Sequence, residues 1–178
     1  MAVSGDTLVA CTHSLGANPG AWIFQRNEGA AGAWAEVAAL LPEGGFDDPG
    51  GVAIDGDVAA VGDQGDDSQT GAVYLFARDA GGPNHWGQIA KLVPAGARPS
   101  SYFGGSVAVD GDTLVAGALG DGVLGEQAGA AWVFQRTGAD PARVGSRRPA
   151  CRPPTGIAST TSAAPWTSMA TRSWWAPP

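Results

Sequence analysis

One short pattern recurs three times in this chain, and it constrains the fold more than any other feature. Asp110-Gly111-Asp112 is flanked by two short apolar runs, Ser106 to Val109 and Thr113 to Ala116. A two-residue Asp-Gly link between such runs predicts a β-hairpin closed by a type I′ turn, with positive φ at both central residues. Asp55-Gly56-Asp57 and Ser4-Gly5-Asp6 repeat the mark, so the three glycines stand 51 and then 55 residues apart. The run after each mark agrees: Thr7-Leu8-Val9-Ala10, Val58-Ala59-Ala60-Val61 and Thr113-Leu114-Val115-Ala116. Each is short and apolar, as a strand covered on both faces is.

A third strand follows each hairpin after a polar, Gly-rich gap. It reads Ala21-Trp22-Ile23-Phe24-Gln25-Arg26, then Val73-Tyr74-Leu75-Phe76-Ala77-Arg78, then Ala131-Trp132-Val133-Phe134-Gln135-Arg136. Aromatics at alternate positions share one face of a strand. A fourth run follows in two copies, Trp34 to Pro42 and Trp86 to Pro94, and the closing proline cannot donate to a ladder. Four strands in about 50 residues, repeated in tandem, predict blades of a β-propeller. A sandwich domain needs nearer 100 residues per unit, which disfavours that alternative. The expected fold is therefore all-β: a partial β-propeller of about three four-stranded antiparallel blades, followed by an irregular C-terminal tail. The units are placed at about 1–45, 46–101 and 102–140, making 1–140 the repeat domain and 141–178 the tail.

Composition supports this reading and excludes others. Twenty-eight glycines and 13 prolines favour turns over long helices, and no apolar run approaches the roughly 20 residues of a membrane-spanning helix. All 17 acids lie at or before Asp140 with only five of the ten basic residues, so the repeat domain carries a net charge of −12 and the remainder +5. An acidic body argues against nucleic acid as a partner. Cys11 and Cys151 are too few to imply a disulfide framework. Leu8-Val9-Ala10-Cys11 superficially matches a lipoprotein cleavage box, but no basic start and apolar run precede it, so no signal peptide is read in this chain.

Phe103-Gly104 at the head of a unit and Gly117-Ala118 after its second strand carry a family resemblance. The chain resembles FG-GAP repeat proteins, the integrin α-chain-like β-propellers, in their bacterial form with a short hairpin. The second copy is looser, with Phe46-Asp47 for Phe-Gly and Gly62-Asp63 for Gly-Ala; in the first, Cys11-Thr12-His13 stands in for Gly-Ala-Pro. The resemblance implies an extracellular or cell-surface location, a parent of about seven blades, and calcium in Asp/Asn-rich loops between the first two strands in many members. Here those loops are bare two-residue turns, so calcium is not expected at that position and no cofactor is assigned.

Several residues are candidate sites. Asp63, Asp66 and Asp67 form the densest carboxylate group and are the candidate metal ligands, although Asp-Gln-Gly-Asp-Asp lacks the alternation of a calcium loop. Trp22, Tyr74 and Trp132 fall at one repeat position and are the candidate ligand-binding shelf, with packing between blades as the competing reading. Gly120 to Gly125 matches G-x-G-x-x-G, but a strand-like run follows where a dinucleotide site needs a helix. His13 and His85 sit in different copies, and no Ser-His-Asp grouping is legible, so no catalytic residue is assigned.

From Pro141 the acids vanish and Arg, Pro, Ser, Thr and Trp take over. The tail is read as disordered or as a frameshifted continuation of the repeats. Codons formed across the junctions from Ser168-Met169 to Pro177-Pro178 can spell Asp-Gly-Asp-Thr-Leu-Val-Val-Gly-Ala-Pro, the hairpin mark again. The functional expectation is a non-enzymatic fragment of a secreted or surface propeller that acts in protein interaction or adhesion. A carbohydrate-binding propeller, with a glycan as the partner, and a non-functional piece of a larger enzyme or surface protein are the alternatives. Exposed blade faces and unpaired edges lead to an expectation of self-association.

Overall fold

The computed structural model describes residues 1–13, 19–26, 31–83, 85–122, 128–136 and 144–147. The remaining residues, including 148–178 and hence most of the tail, lie outside the described residues, as does Cys151. Twelve strands are formed among those described, in three four-stranded antiparallel sheets, each a meander in which neighbours in sequence are neighbours in space. The first sheet is β1 (Ala2–Ser4), β2 (Thr7–Cys11), β3 (Ala21–Arg26) and β4 (Trp34–Leu40). The second is β5 (Pro49–Asp55), β6 (Val58–Asp63), β7 (Ala72–Ala77) and β8 (Gly87–Leu92). The third is β9 (Phe103–Asp110), β10 (Thr113–Ala118), β11 (Ala130–Arg136) and β12 (Val144–Arg147). The all-β, blade-like architecture read from the repeats is thus the observed one. The strand β12, paired with β11, is drawn from beyond the compositional break at Asp140.

The hairpins form where the repeats place them, but their turns differ from expectation by one residue. Ser4 pairs with Thr7, Asp55 with Val58 and Asp110 with Thr113, so the central residues are Gly5-Asp6, Gly56-Asp57 and Gly111-Asp112. The glycines take φ of +56°, +53° and +52°, whereas none of the three aspartates has positive φ. That is the pattern of a type II′ turn, with glycine first, rather than a type I′ turn with Asp-Gly at its centre. The physical reason is the pleat: pairing Asp110 with Thr113 sends Leu114 and Val109 to the same face, where both meet apolar neighbours.

The sheets stack in series because each is apolar on both faces. Ladder partners share a face, so Leu8 and Phe24, Ala59 and Phe76, and Leu114 and Phe134 lie on one side of their respective sheets. Val9 and Ile23, Ala60 and Leu75, and Val115 and Val133 lie on the other. The first core joins Val9, Ala21, Ile23 and Leu40 of the first sheet to Ile54, Ala59, Val61, Ala72, Tyr74 and Phe76 of the second. The second core joins Ala53, Ala60, Val73, Leu75 and Leu92 of the second sheet to Phe103, Leu114, Ala116, Trp132 and Phe134 of the third. The aromatic face of one blade therefore meets the aliphatic face of the blade before it, twice.

Backbone also meets backbone at the second seam. A Cβ on Gly62 would stand 1.9 Å from the Gly104 carbonyl oxygen, and one on Gly71 would stand 2.1 Å from the Phe103 oxygen. Phe103 N–H donates to the Thr70 carbonyl at 3.1 Å and Tyr102 N–H to that of Gln69 at 2.9 Å. The Phe-Gly of one unit is thus seated on the glycine that closes the second strand of the unit before. At the first seam Cys11 takes the place of that glycine, and its thiol donates to the Gly50 carbonyl at 3.4 Å. Phe46 does not open strand β5; it lies in the preceding loop and packs edge-on against Tyr74 at 5.7 Å, while Pro49 takes the strand position opposite Asp63.

Candidate functional site

The meander sorts the connections by end. The Gly-Asp turns and the β3–β4 and β7–β8 connections lie at one end of the sheets; the β2–β3, β6–β7 and β10–β11 connections and the crossings between blades lie at the other. The turn end is a repeated fastening. Arg26, Arg78 and Arg136, closing the third strands, pair with Asp6 at 3.5 Å, with Asp57 at 2.7 Å and with Asp112. The same arginines donate their backbone N–H to the carbonyls of those aspartates at 2.9–3.0 Å. Arg26 and Arg78 also lie 5.1 Å over the rings of Trp34 and Trp86. These pairs were missed in the sequence, although an Asp after each turn glycine and an Arg at each third-strand end were visible there.

The loop end holds the three candidate metal ligands, and the structure separates them by role. Asp63, 1% exposed at the end of β6, accepts the N–H groups of Asp47 at 2.8 Å, Asp48 at 2.7 Å and Gly65 at 3.2 Å. Burial pushes its carboxyl above the ordinary range, opposed by those three donors and aided by the neighbouring charge of Asp47. Asp66 instead faces Lys91 Nζ, 2.8 and 2.9 Å from its two oxygens, and accepts the hydroxyl of Tyr74. Asp67 lies in the Asp66–Gln69 turn, where Asp67, Ser68 and Gln69 all take left-handed φ of +45° to +64°. Among the described residues no group of three or more His, Cys, Asp or Glu side chains is placed to hold a metal ion.

Tyr74, buried by its position in the first core, has its phenol pushed up to about 12 by burial and by the Asp66 carboxylate. The Lys91 ammonium is pulled down by burial, but its bonds to Asp66 and Tyr74 outweigh that and leave it raised. Tyr74, Asp66 and Lys91 thus form a charge-assisted lock at the edge of the first seam.

The packing places the three rings of the candidate shelf apart. Tyr74 and Trp132, each 3% exposed, lie in different cores, between blades one and two and between blades two and three. Only Trp22 of that repeat position remains half-buried, on the outer face of the first blade. The three rings share no surface, because Tyr74 and Trp132 each face the blade before their own and Trp22 lies on the outer face of the first. His13 Nδ1 lies 3.0 Å from Asp48 Oδ1, and Asp48 Oδ2 accepts from Gln64 Nε2 at 2.9 Å. His85 lies at the opposite end, in the β7–β8 connection. Of Gly120 to Gly125, residues 123–125 lie outside the described residues; the element that follows is the strand β11, which removes the helix a dinucleotide fingerprint needs.

What the loop end does present is an open groove of about 800 Å³ between the crossing into the third blade and the β10–β11 connection. Arg98, Ser100, Tyr102, Leu119 and Gly120 line it. Tyr102 and Ser100 take φ of +53° and +63°, and Tyr102 Oη donates to Gln69 Oε1 at 3.0 Å, bracing the groove wall against the second blade. Leu119 is 66% exposed at its rim. No helix among the described residues is long and apolar enough to cross a membrane.

Residues 86–134 match the FG-GAP repeat family. The matched span takes in the last strand of the second blade and runs into β11 of the third, and it includes the Phe103-Gly104 that meets Gly62. A comparison with curated proteins gave no match.

Proposed function

We propose that this FG-GAP repeat protein is a non-enzymatic interaction module that works at a cell surface or outside the cell and engages a protein partner through the loop end of its blades. The observation that carries this reading is the groove between Arg98–Tyr102 and Leu119–Gly120. It is wide and open, and it sets a tyrosine ring and a guanidinium beside an exposed leucine, side chains suited to a protein interface. The acids nearby support the reading from the other side. Asp63 and Asp66 are held by backbone amides and by Lys91 and Tyr74, which makes them parts of the scaffold that positions the loops.

The test is adhesion of immobilised chain to a panel of cells and extracellular-matrix proteins. Leu119→Asp and Arg98→Glu are expected to reduce retained ligand at least about tenfold, the scale of losing one interface anchor. Asp57→Asn, at the turn end, is expected to leave retention unchanged. Retention that survives both groove variants would contradict the reading.

A further inference from the structure

The two seams are built alike, and the two outer faces are the halves of a third. On the aromatic face of the third blade, Val109, Leu114, Ala116, Trp132 and Phe134 pack onto the second blade. The outer face of the first blade carries Val3, Leu8, Ala10, Trp22 and Phe24 at the same register positions, with the same residue at every one. Here Val3 is 60% exposed and Trp22 half-buried. The face that receives such a surface in the second blade is Ala53, Ala60, Gly62, Val73 and Leu75. The outer face of the third blade has Ala108, Val115, Gly117, Ala131 and Val133 at those positions, with Val115 37% exposed.

The polar contacts across the seams repeat in the same way. The residue before each turn glycine accepts the N–H of the next blade's turn glycine: Ser4 Oγ from Gly56 at 3.1 Å and Asp55 Oδ2 from Gly111 at 2.8 Å. Asp110 on the third blade and Gly5 on the first occupy the two remaining positions of that series. Arg78 Nη2 likewise reaches back to Thr7 Oγ1 at 3.0 Å, and Arg26 with Thr113 stands at the equivalent places on the outer faces.

We infer that the chain associates head to tail with a second copy of itself, the outer face of the first blade in one copy docking on the outer face of the third blade in the other. The contact is heterologous: it uses two different surfaces, so each copy offers one of each. It reproduces an interface already present twice within the chain, including the bond from a turn glycine N–H to the side-chain oxygen before the neighbouring turn glycine.

The full chain is measured by sedimentation across a concentration series, with circular dichroism as the control for folding. Wild type is expected to gain mass with concentration. Val115→Lys blocks one face and Trp22→Lys the other, and each is expected to weaken self-association by more than about 100-fold, the effect of an unpaired charge in an apolar contact. Val3→Lys, at a more exposed site on the same face, replaces Trp22→Lys if that variant does not fold. The two variants mixed in equal amounts are expected to restore a one-to-one dimer, because each supplies the face the other lacks. A wild-type chain that stays monomeric, as it would if residues 148–178 covered the third blade, overturns the inference. So does association that survives Val115→Lys, which would place the contact at a sheet edge, or blocked variants that fail to complement.

Discussion

At the level of single residues, Asp63 and Asp66 at the loop end are fixed by backbone amides and by Lys91 and Tyr74 respectively. Asp63 accepts three backbone N–H groups while 1% exposed, so removing its charge leaves buried donors without a full partner. Asp63→Asn is expected to lower stability by about 1–3 kcal/mol, read as a lower urea midpoint at unchanged slope. Asp63 was legible in the sequence as one of a dense group of loop carboxylates, with Asp66 and Asp67. Its partners were not, because Asp47 and Asp48 belong to an earlier loop that carries no signature of the contact. Tyr74 shows the same limit: alternation placed it on a face, but only the neighbouring sheet decides whether that face is a shelf or a core.

The Tyr74 lock makes a statement about pH. An unfolded tyrosine titrates near 10, whereas the folded phenol is pushed up to about 12. Below pH 10 both states hold the proton and the contribution is fully present. Between these values the unfolded chain binds fewer protons, so stability falls as pH rises through that window. Lys91 is raised as well and acts with the same sign. Stability measured from pH 9 to 12 is expected to fall more steeply in wild type than in Tyr74→Phe; equal slopes would remove the lock from the explanation.

At the level of elements, the hairpin mark was legible and its turn type was not. An Asp-Gly-Asp triplet fits two registers one residue apart, and the choice rests on which face of each strand meets the neighbouring blade. The structure takes the register that leaves glycine alone with positive φ, so Gly111→Ala is expected to cost about 1–2 kcal/mol from the left-handed backbone alone. Gly62→Ala acts differently. Its Cβ would stand 1.9 Å from the Gly104 carbonyl oxygen, and backbone on both sides leaves no flexible side chain to yield. The expected loss exceeds about 3 kcal/mol, as overpacking of a fixed contact does. Thermal unfolding of the two variants side by side checks the order: Gly62→Ala is to be the less stable.

At the level of the whole molecule, the repeat period announced three sheets because each copy carried its own strands and turn. Their serial stacking followed from strands apolar on both faces, which no isolated sheet can bury. Four strands per blade were expected, but the position of the fourth in the third sheet was not, since Val144 to Arg147 lies past the change in composition and outside the 102–140 unit. The family match takes in one strand of the second blade and most of the third, with Phe103-Gly104 between them. What the Phe-Gly and Gly-Ala motifs encode, on this structure, is the docking of one blade on the next.

That docking is tested most directly by a nuclear Overhauser contact between the Hα protons of Gly62 and Gly104, measured on the Val115→Lys chain. Each glycine's Cβ position falls within 3.0 Å of the other's Cα, so a strong cross-peak is expected. Assigned resonances for both glycines in a folded chain, with no cross-peak between them, would contradict the stacked-blade arrangement at its closest point.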